Sequence, residues 1–384
     1  MKGKVSIKKT VFFSALAFIG ALSVFHEPTR WVVFMLGIIL FMVTVHEAGH
    51  LFAARKAGLA APLFSIGFGP ALLKTQPQKS GTVYQIAALP FGGFVRLKGL
   101  DEPESSPEDP DSWQNISRPR KIFVAAAGPL ANVALSAACL MLLLAAAGSS
   151  TATLTVDPVE GSLAESANVL PGDTIVSVQG DLVADPAELI SFVNDLDADS
   201  IELVVAREDG ALYPLTIPAT DGSIGLQFRT ETEKLSPPQL ILNTVDVTWA
   251  LGHRTISSLS TLASSLVSLP QQLTGESDDP ENRALSPLGA SRIAQDISES
   301  SGWEGIVSLI AIFSMFLAVF NLIPIPPLDG GHIAVTSAEG IFSKVSGKEV
   351  EVPTVWLQKA TAFTVALILV VGISSFVLDV VKPI

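Results

Sequence analysis

The chain has 384 residues, 48% of them hydrophobic and 16% charged, with a mean hydropathy of +0.48, which excludes an ordinary soluble globular protein. A single cysteine, Cys139, excludes an intrachain disulfide. The net charge of -13 suggests a basic partner at first sight, but the acids are concentrated in one insert and read as a solvated face.

Apolar runs of bilayer-spanning character occupy 11–25, 31–54, 122–147, 306–323 and 360–380. The first is short. No small-residue cleavage site follows it and 26–30 turns directly into the next run, so it is read as a retained helix. Residues 1–10 hold four lysines and no acid, and 55–121 hold nine Lys or Arg against six acids. Residues 149–302 hold six basic residues against 23 acids. The basic segments belong inside and the acidic insert outside, which gives five spans with the N-terminus inside and the C-terminus outside.

The second run ends in His46-Glu47-Ala48-Gly49-His50. A four-residue step turns an α-helix about 400°, so both imidazoles leave one face and can grip one Zn²⁺, with Glu47 placed as general base. With five histidines in the chain, such a pattern arises by chance in roughly three chains per thousand. Polar groups in a span each cost about 2.5 to 3.5 kcal/mol at the bilayer centre, so they persist where something binds them.

Arg55-Lys56 suits the inner headgroups. Two strand-like runs, 63–68 and 83–97, follow, broken by Gly and Pro. Residues 101–111 are acidic and proline-rich and read as a mobile loop. Gly128-Pro-Leu-Ala-Asn132 lies near the inner end of the third span. A small residue there permits close packing, and Asn132 serves either that packing or the site.

Residues 152–229 form an outer module: a short helix at 163, a Pro-Gly-Asp turn into a strand, a helix over 187–196, and a strand pair 201–206 and 211–217 around Glu208-Asp-Gly210. From 240 to 269 apolar residues recur at helical steps (Ile241, Val245, Trp249, Ile256), predicting an amphipathic helix on the outer leaflet or against the span bundle. Residues 271–287 are polar and acidic, hence expected to be flexible.

The fourth span leads into Asn321-Leu-Ile-Pro-Ile-Pro-Pro-Leu-Asp-Gly330. His46 lies 15 residues along an inward-running helix, about 22 Å deep, and Asn321 about 27 Å down another, in a hydrocarbon layer about 30 Å thick. Two stretches far apart in sequence therefore reach one depth. Pro324, Pro326 and Pro327 break the helix, so irregular backbone is expected at Asp329, tolerated there beside a cavity. Asp329 is the expected third zinc ligand, leaving a fourth position open as catalytic sites do. His332 is a competing ligand or a polar helix start, and Asn321 either holds a substrate carbonyl or packs between helices.

With both motifs in view, the sequence resembles the site-2 protease family of intramembrane zinc metalloproteases, which join an H-E-x-x-H helix to an N-x-x-P-x-P-x-L-D-G segment. Gly67-Phe-Gly-Pro70, Leu89-Pro-Phe-Gly-Gly-Phe-Val-Arg-Leu-Lys98 and Ala127-Gly-Pro-Leu-Ala-Asn132 extend the likeness. The resemblance implies that His46, His50 and Asp329 bind Zn²⁺, that Glu47 is the base, and that Asn321 helps hold substrate. It implies a sheet edge near the site that takes substrate as an added strand, and a run at 11–25 that is an addition to the family core. The outer module resembles a single bacterial PDZ domain. Implied substrates are single-span membrane proteins such as anti-sigma factors or remnant signal peptides, in a bacterial inner membrane.

The expected fold is a polytopic α-helical membrane protein of about five transmembrane helices, with a membrane-associated β-hairpin or sheet and one extracytoplasmic α/β module. The expected parts are 1–30, the extra helix; 31–148, the first half of the protease core; 149–232, the PDZ-like domain; 233–302, the amphipathic helix and linker; and 303–384, the second half of the core. The expected partners are a transmembrane substrate and the lipid bilayer, without nucleic acid. The rival functions are a metal transporter and a catalytically inactive PDZ scaffold.

Overall fold

A computed structural model describes residues 27–77, 81–100, 109–195, 200–218, 224–274 and 287–381. The expected span at 11–25 lies outside them. The chain divides into two compact units, Leu144–Leu240 and the remainder on either side of it.

In the larger unit, helix α1 (Glu27–Ala57) carries the His46–His50 pair and ends on Arg55 and Lys56, cations that suit a helix C-terminus. Among the described residues, four apolar helical stretches are long enough to cross a membrane: Arg30–Ala57, Arg118–Ala147, Ser301–Asn321 and Val355–Ser375. No more than 33% of any of them is buried inside the protein, so most of their apolar surface faces outward, as lipid-facing helices do. Helix α2 spans Arg118–Ala147.

Strands β1 (Leu63–Thr75) and β2 (Val83–Arg96) pair with each other, and the register shows that each turns back on itself. Residues 63–66 run parallel to 83–86 and antiparallel to 93–96, while 71–75 run antiparallel to 84–87. The four segments thus lie in the order 71–75, 84–87, 63–66, 93–96, where the sequence suggested two plain runs. The reversals fall at Gly67 (φ +82), Gly69 (φ +88) and Gly92 (φ +82), a backbone region open to glycine and poorly tolerated by other residues. A Cβ at Gly92 would stand 2.8 Å from the Phe68 ring, which in turn stacks on Phe94 at 5.7 Å. Beneath the sheet, Phe64, Val95 and Leu97 join Leu51, Ala54 and Ala57 of α1 and Val124 of α2 in one buried cluster.

Helix α5 (Pro237–Thr274) is as amphipathic as its spacing predicts, but its polar face is the one turned inward. Thr244 and Thr255 are buried, a Cβ at Gly252 would lie 3.7 Å from Met315 Sδ, and Ile241, Val245, Trp249 and Ile256 are exposed. Thr255 donates to Leu251 O of its own helix, so the buried hydroxyl needs no other partner.

Helix α6 (Pro287–Asn321) is broken at Gly302 (φ +57, ψ -136), where the apolar stretch Ser301–Asn321 begins, a few residues before the expected 306. Helix α7 (Asp329–Ser346) starts directly after the proline segment, and α8 (Thr354–Val381) completes the unit. Asp329 therefore opens a helix instead of standing in irregular backbone. Leu328 is extended (φ -69, ψ 157), and a Cβ on Gly330 or Gly331 would collide with the main chain of 322–326, so the glycine pair lets the first turn fold onto that loop.

The smaller unit is an antiparallel sheet of β3 (Ser149–Pro158), β4 (Asp173–Val178), β5 (Asp181–Leu182), β6 (Ser200–Ala206), β7 (Leu212–Pro218) and β8 (Leu226–Glu233), with short helix α3 (Leu163–Ser166) and helix α4 (Pro186–Asp195). The strand order is β7-β6-β4-β3-β8, with β5 paired to β4. Val156, Ile175, Leu189, Ile201, Leu203 and Ile217 form its core. Both helices open on reciprocal caps: Ser162 Oγ accepts from Glu165 N while Gly161 N donates to Glu165 Oε2, and Asp185 and Glu188 repeat the arrangement.

Candidate metal centre

On α1, His46 and His50 are separated by one turn, with Gly49 between them on the side that meets α2. A Cβ at Gly49 would collide with Ala127 O and lie 2.8 Å from Ala131 Cβ. A Cβ at Gly128 of α2 would stand 2.6 Å from His46 Nε2 and closer still to His50 Nε2. The two glycines remove the atoms that would hold these helices apart. Val124, Gly128 and Asn132 follow at four-residue steps, so one face of α2 lies against both imidazoles.

That contact gives each ring a partner. His50 Nδ1 lies 2.8 Å from Val124 O and donates to it, since a carbonyl can only accept, which leaves a lone pair on His50 Nε2. Asn132 Nδ2 lies 3.3 Å from His46 Nδ1. Pro129 has no N–H for the carbonyl four residues before it, which loosens the helical ladder at the turn where Val124 O takes its extra donor.

The two Nε2 atoms are 3.2 Å apart, and Asp329 Oδ2 is 3.0 Å from His46 Nε2 and 3.3 Å from His50 Nε2. A tetrahedral zinc with bonds of about 2.0 to 2.1 Å sets its ligand atoms about 3.3 Å apart, so the three observed edges fit one such ion. Asp329 Oδ2 is also buried, with no hydrogen-bond partner beyond the two imidazole nitrogens that face it, as an atom shared with them by one cation would be. His46, His50 and Asp329 form a group that could hold a metal ion.

Glu47 opens into the same cavity, of about 300 Å³, lined also by Val95, Trp113, Asn321 and His332. Its Oε2 accepts from the main-chain N–H of Val95 at 3.0 Å. Val95 belongs to the 93–96 segment, whose far side pairs with no strand among the described residues. Gly93 allows the approach, since a Cβ there would lie 2.9 Å from Ser65 O and 3.5 Å from Glu47 Cγ. Asn321 lines the cavity, but its Nδ2 donates to Leu317 O at 2.9 Å, so one amide hydrogen is spent within its own helix. His332 also lines it, edge-on to Trp113 at 6.3 Å, and is not one of the three grouped ligands.

Sequence reasoning did not find Val95 or Val124, because a main-chain donor or acceptor leaves no mark on residue type. It also passed over Trp113, which follows the segment read as a mobile loop. Residues 101–108 lie outside the described residues, but Asp109 and Asp111 are pinned at 3.2 and 2.8 Å by Lys98 Nζ, and Trp113 N donates to Lys98 O at 2.8 Å. Asp111, then Asp109, hold the Lys98 ammonium above the usual lysine range. Opposite charges on the two flanks thus order the near end of that stretch.

Apolar helices fit to cross a membrane, with two histidines and a carboxylate converging beside a glutamate, define a membrane-embedded zinc metalloprotease. The chain belongs to Peptidase family M50, the site-2 proteases, whose model matches residues 34–372. It is 28% identical over 366 residues to a Brucella suis protein whose name assigns it to the zinc metalloproteases, covering 90% of this chain and 92% of that one. It is also 28% identical over 409 residues to the zinc metalloprotease Rip1 of Mycobacterium tuberculosis, covering 91% and 98%. A Campylobacter jejuni protein, likewise named among the zinc metalloproteases, is 28% identical over 321 residues, covering 80% and 83%.

Proposed function

We propose that this zinc metalloprotease hydrolyses peptide bonds in or beside the transmembrane helices of other membrane proteins, with His46, His50 and Asp329 as zinc ligands and Glu47 as general base. The observation that carries the reading is the meeting of His46 Nε2, His50 Nε2 and Asp329 Oδ2 within 3.3 Å of one another, with Glu47 in the same cavity. Zinc held by His46, His50 and Asp329 would supply Lewis-acid polarisation of a peptide carbonyl and would make water a usable nucleophile near neutral pH. Glu47 takes the proton of the attacking water and delivers it to the leaving nitrogen. The Val95 N–H keeps its carboxylate aimed while it is charged. The free edge at 93–96 receives an unwound stretch of substrate as an added strand, since a peptide bond in an intact helix is shielded by its own ladder. The second hydrogen of the Asn321 amide is left to steady the substrate carbonyl.

The charge distribution supports a metal centre toward the cytoplasmic leaflet and the PDZ-like unit, 149–232, outside, and likeness to the site-2 proteases supports a bacterial inner membrane. That unit, PDZ-like in sequence, takes a peptide chain end or excludes substrates by bulk. Likeness to the site-2 proteases supports single-span substrates of the anti-sigma-factor or remnant-signal-peptide kind, within regulated intramembrane proteolysis. The test is cleavage of a labelled single-span substrate by the purified protein in detergent. Wild type cleaves, a zinc chelator stops it, and Glu47→Gln slows it by about 10²- to 10⁴-fold while still binding zinc. Cleavage that persists in Glu47→Gln would overturn the assigned base, and zinc binding without any cleavage would favour an inactive scaffold.

A further inference from the structure

The ligand set leaves one buried group beside the metal centre without a role. Asn132 is 0% exposed, its Nδ2 faces His46 Nδ1 at 3.3 Å, and its Oδ1 is buried with no hydrogen-bond partner. A neutral imidazole carries one N–H. If His46 ligates through Nε2, that nitrogen must be bare, so the proton sits on Nδ1 and needs an acceptor. For His50 the acceptor is the Val124 carbonyl, which can play no other part. For His46 the side chain within hydrogen-bond reach of Nδ1 is an amide with one face that donates and one that accepts.

With Nδ2 toward His46, the ring is read as an acceptor at Nδ1 and carries its proton on Nε2, pointing at His50 Nε2 and Asp329 Oδ2. That pattern suits a centre without metal. A half-turn of the amide exchanges nitrogen and oxygen in the same space. The unpartnered Oδ1 then gains a donor, and the lone pair on His46 Nε2 turns toward the other two ligand atoms. Burial leaves no room for solvent to do this instead.

We infer that Asn132 is a positioning residue for the metal centre, its side-chain oxygen accepting from His46 Nδ1–H and so fixing the tautomer that presents Nε2 to zinc. The inference rests on the proposed ligand role of His46. It explains why the sequence sets Asn132 four residues after Gly128: the glycine brings α2 against the rings, and the next turn supplies the acceptor.

The test uses the full-length protein in detergent and reads metal binding, not turnover. Zinc affinity is measured by competition with a chromophoric chelator, and the cobalt(II) form is compared by its visible spectrum, for wild type, Asn132→Leu and Asn132→Asp. Leucine keeps the volume and removes the acceptor; aspartate keeps the acceptor and cannot donate. The expected result is a loss of about 10- to 100-fold in zinc affinity for Asn132→Leu, with a changed cobalt spectrum, and no loss for Asn132→Asp. Equal affinity in wild type and Asn132→Leu would reduce Asn132 to packing. A loss in Asn132→Asp as large as in Asn132→Leu would show that the amide donates, and would overturn the inference. Should the leucine variant fail to fold, the aspartate variant decides alone. Wild type that binds no zinc would overturn the ligand reading itself, a result separate from either.

Discussion

Gly128→Ala is the smallest change that should disable the centre without touching a ligand. The added methyl would stand 2.6 Å from His46 Nε2 and nearer still to His50 Nε2, against an ordinary contact of 3.4 Å. Relieving the first contact alone requires a displacement of about 0.8 Å, several times the roughly 0.2 Å within which metal–ligand distances are held. Neither ring can swing away cheaply, since Val124 O anchors one and Asn132 abuts the other. Overpacking of a buried contact costs about 1 to 3 kcal/mol. If that strain falls on the zinc-bound geometry, affinity drops by about 5- to 150-fold at roughly 1.4 kcal/mol per decade. Chelator competition on the purified variant measures this directly. An alanine variant that binds zinc as tightly as wild type and cleaves at the same rate would refute the account of how α1 and α2 meet.

Two further outcomes concern the Leu144–Leu240 unit. Leu203 is 1% exposed at the centre of its core, so Leu203→Ala should destabilise it by about 2 to 5 kcal/mol, seen as faster hydrogen exchange across β4 and β6; unchanged exchange would contradict the packing described. The Arg229 guanidinium, hydrogen-bonded to both Asp157 oxygens, holds that carboxyl below the usual carboxylate range. The resulting stability is present above the unfolded value near 3.8 and is lost as pH falls through the lower folded value. Asp157→Asn should therefore speed exchange in β3 and β8 slightly at pH 7, and the difference from wild type should vanish in strong acid. A difference that grows on acidification would reverse the assignment.

Much of the centre was legible because it is written in side chains. The spacing of His46 and His50 puts both on one helical face, and the rise per residue brings Asp329 to their depth. What escaped was main-chain chemistry and local reversals. The Val95 N–H and Val124 C=O carry no residue signature, and the turns within β1 and β2 are marked by glycines that equally suit a loop. Strand β8 is not apparent in the sequence because its exposed residues Gln227, Arg229 and Glu231 dilute an alternation carried by Leu226 and Phe228. The proline segment was correctly expected to end a helix. That a new helix begins at Asp329 depends on Gly330 and Gly331 clearing the backbone behind them, a contact between neighbours that periodicity does not encode.

Glu47 is tethered to a peptide N–H, and that has a bearing on how such a protease can diversify. A backbone donor survives any substitution except proline, so a neighbouring side chain such as that at 96 can change and be selected for new client sequences while the carboxylate stays aimed. Such latitude is lacking at Gly93, which clears Ser65 O, at Phe94, which stacks on Phe68, and at Val95, which is buried in the core cluster. Retargeting by changing the wall of the cleft, with the reactive core untouched, is the evolutionary path this arrangement leaves open.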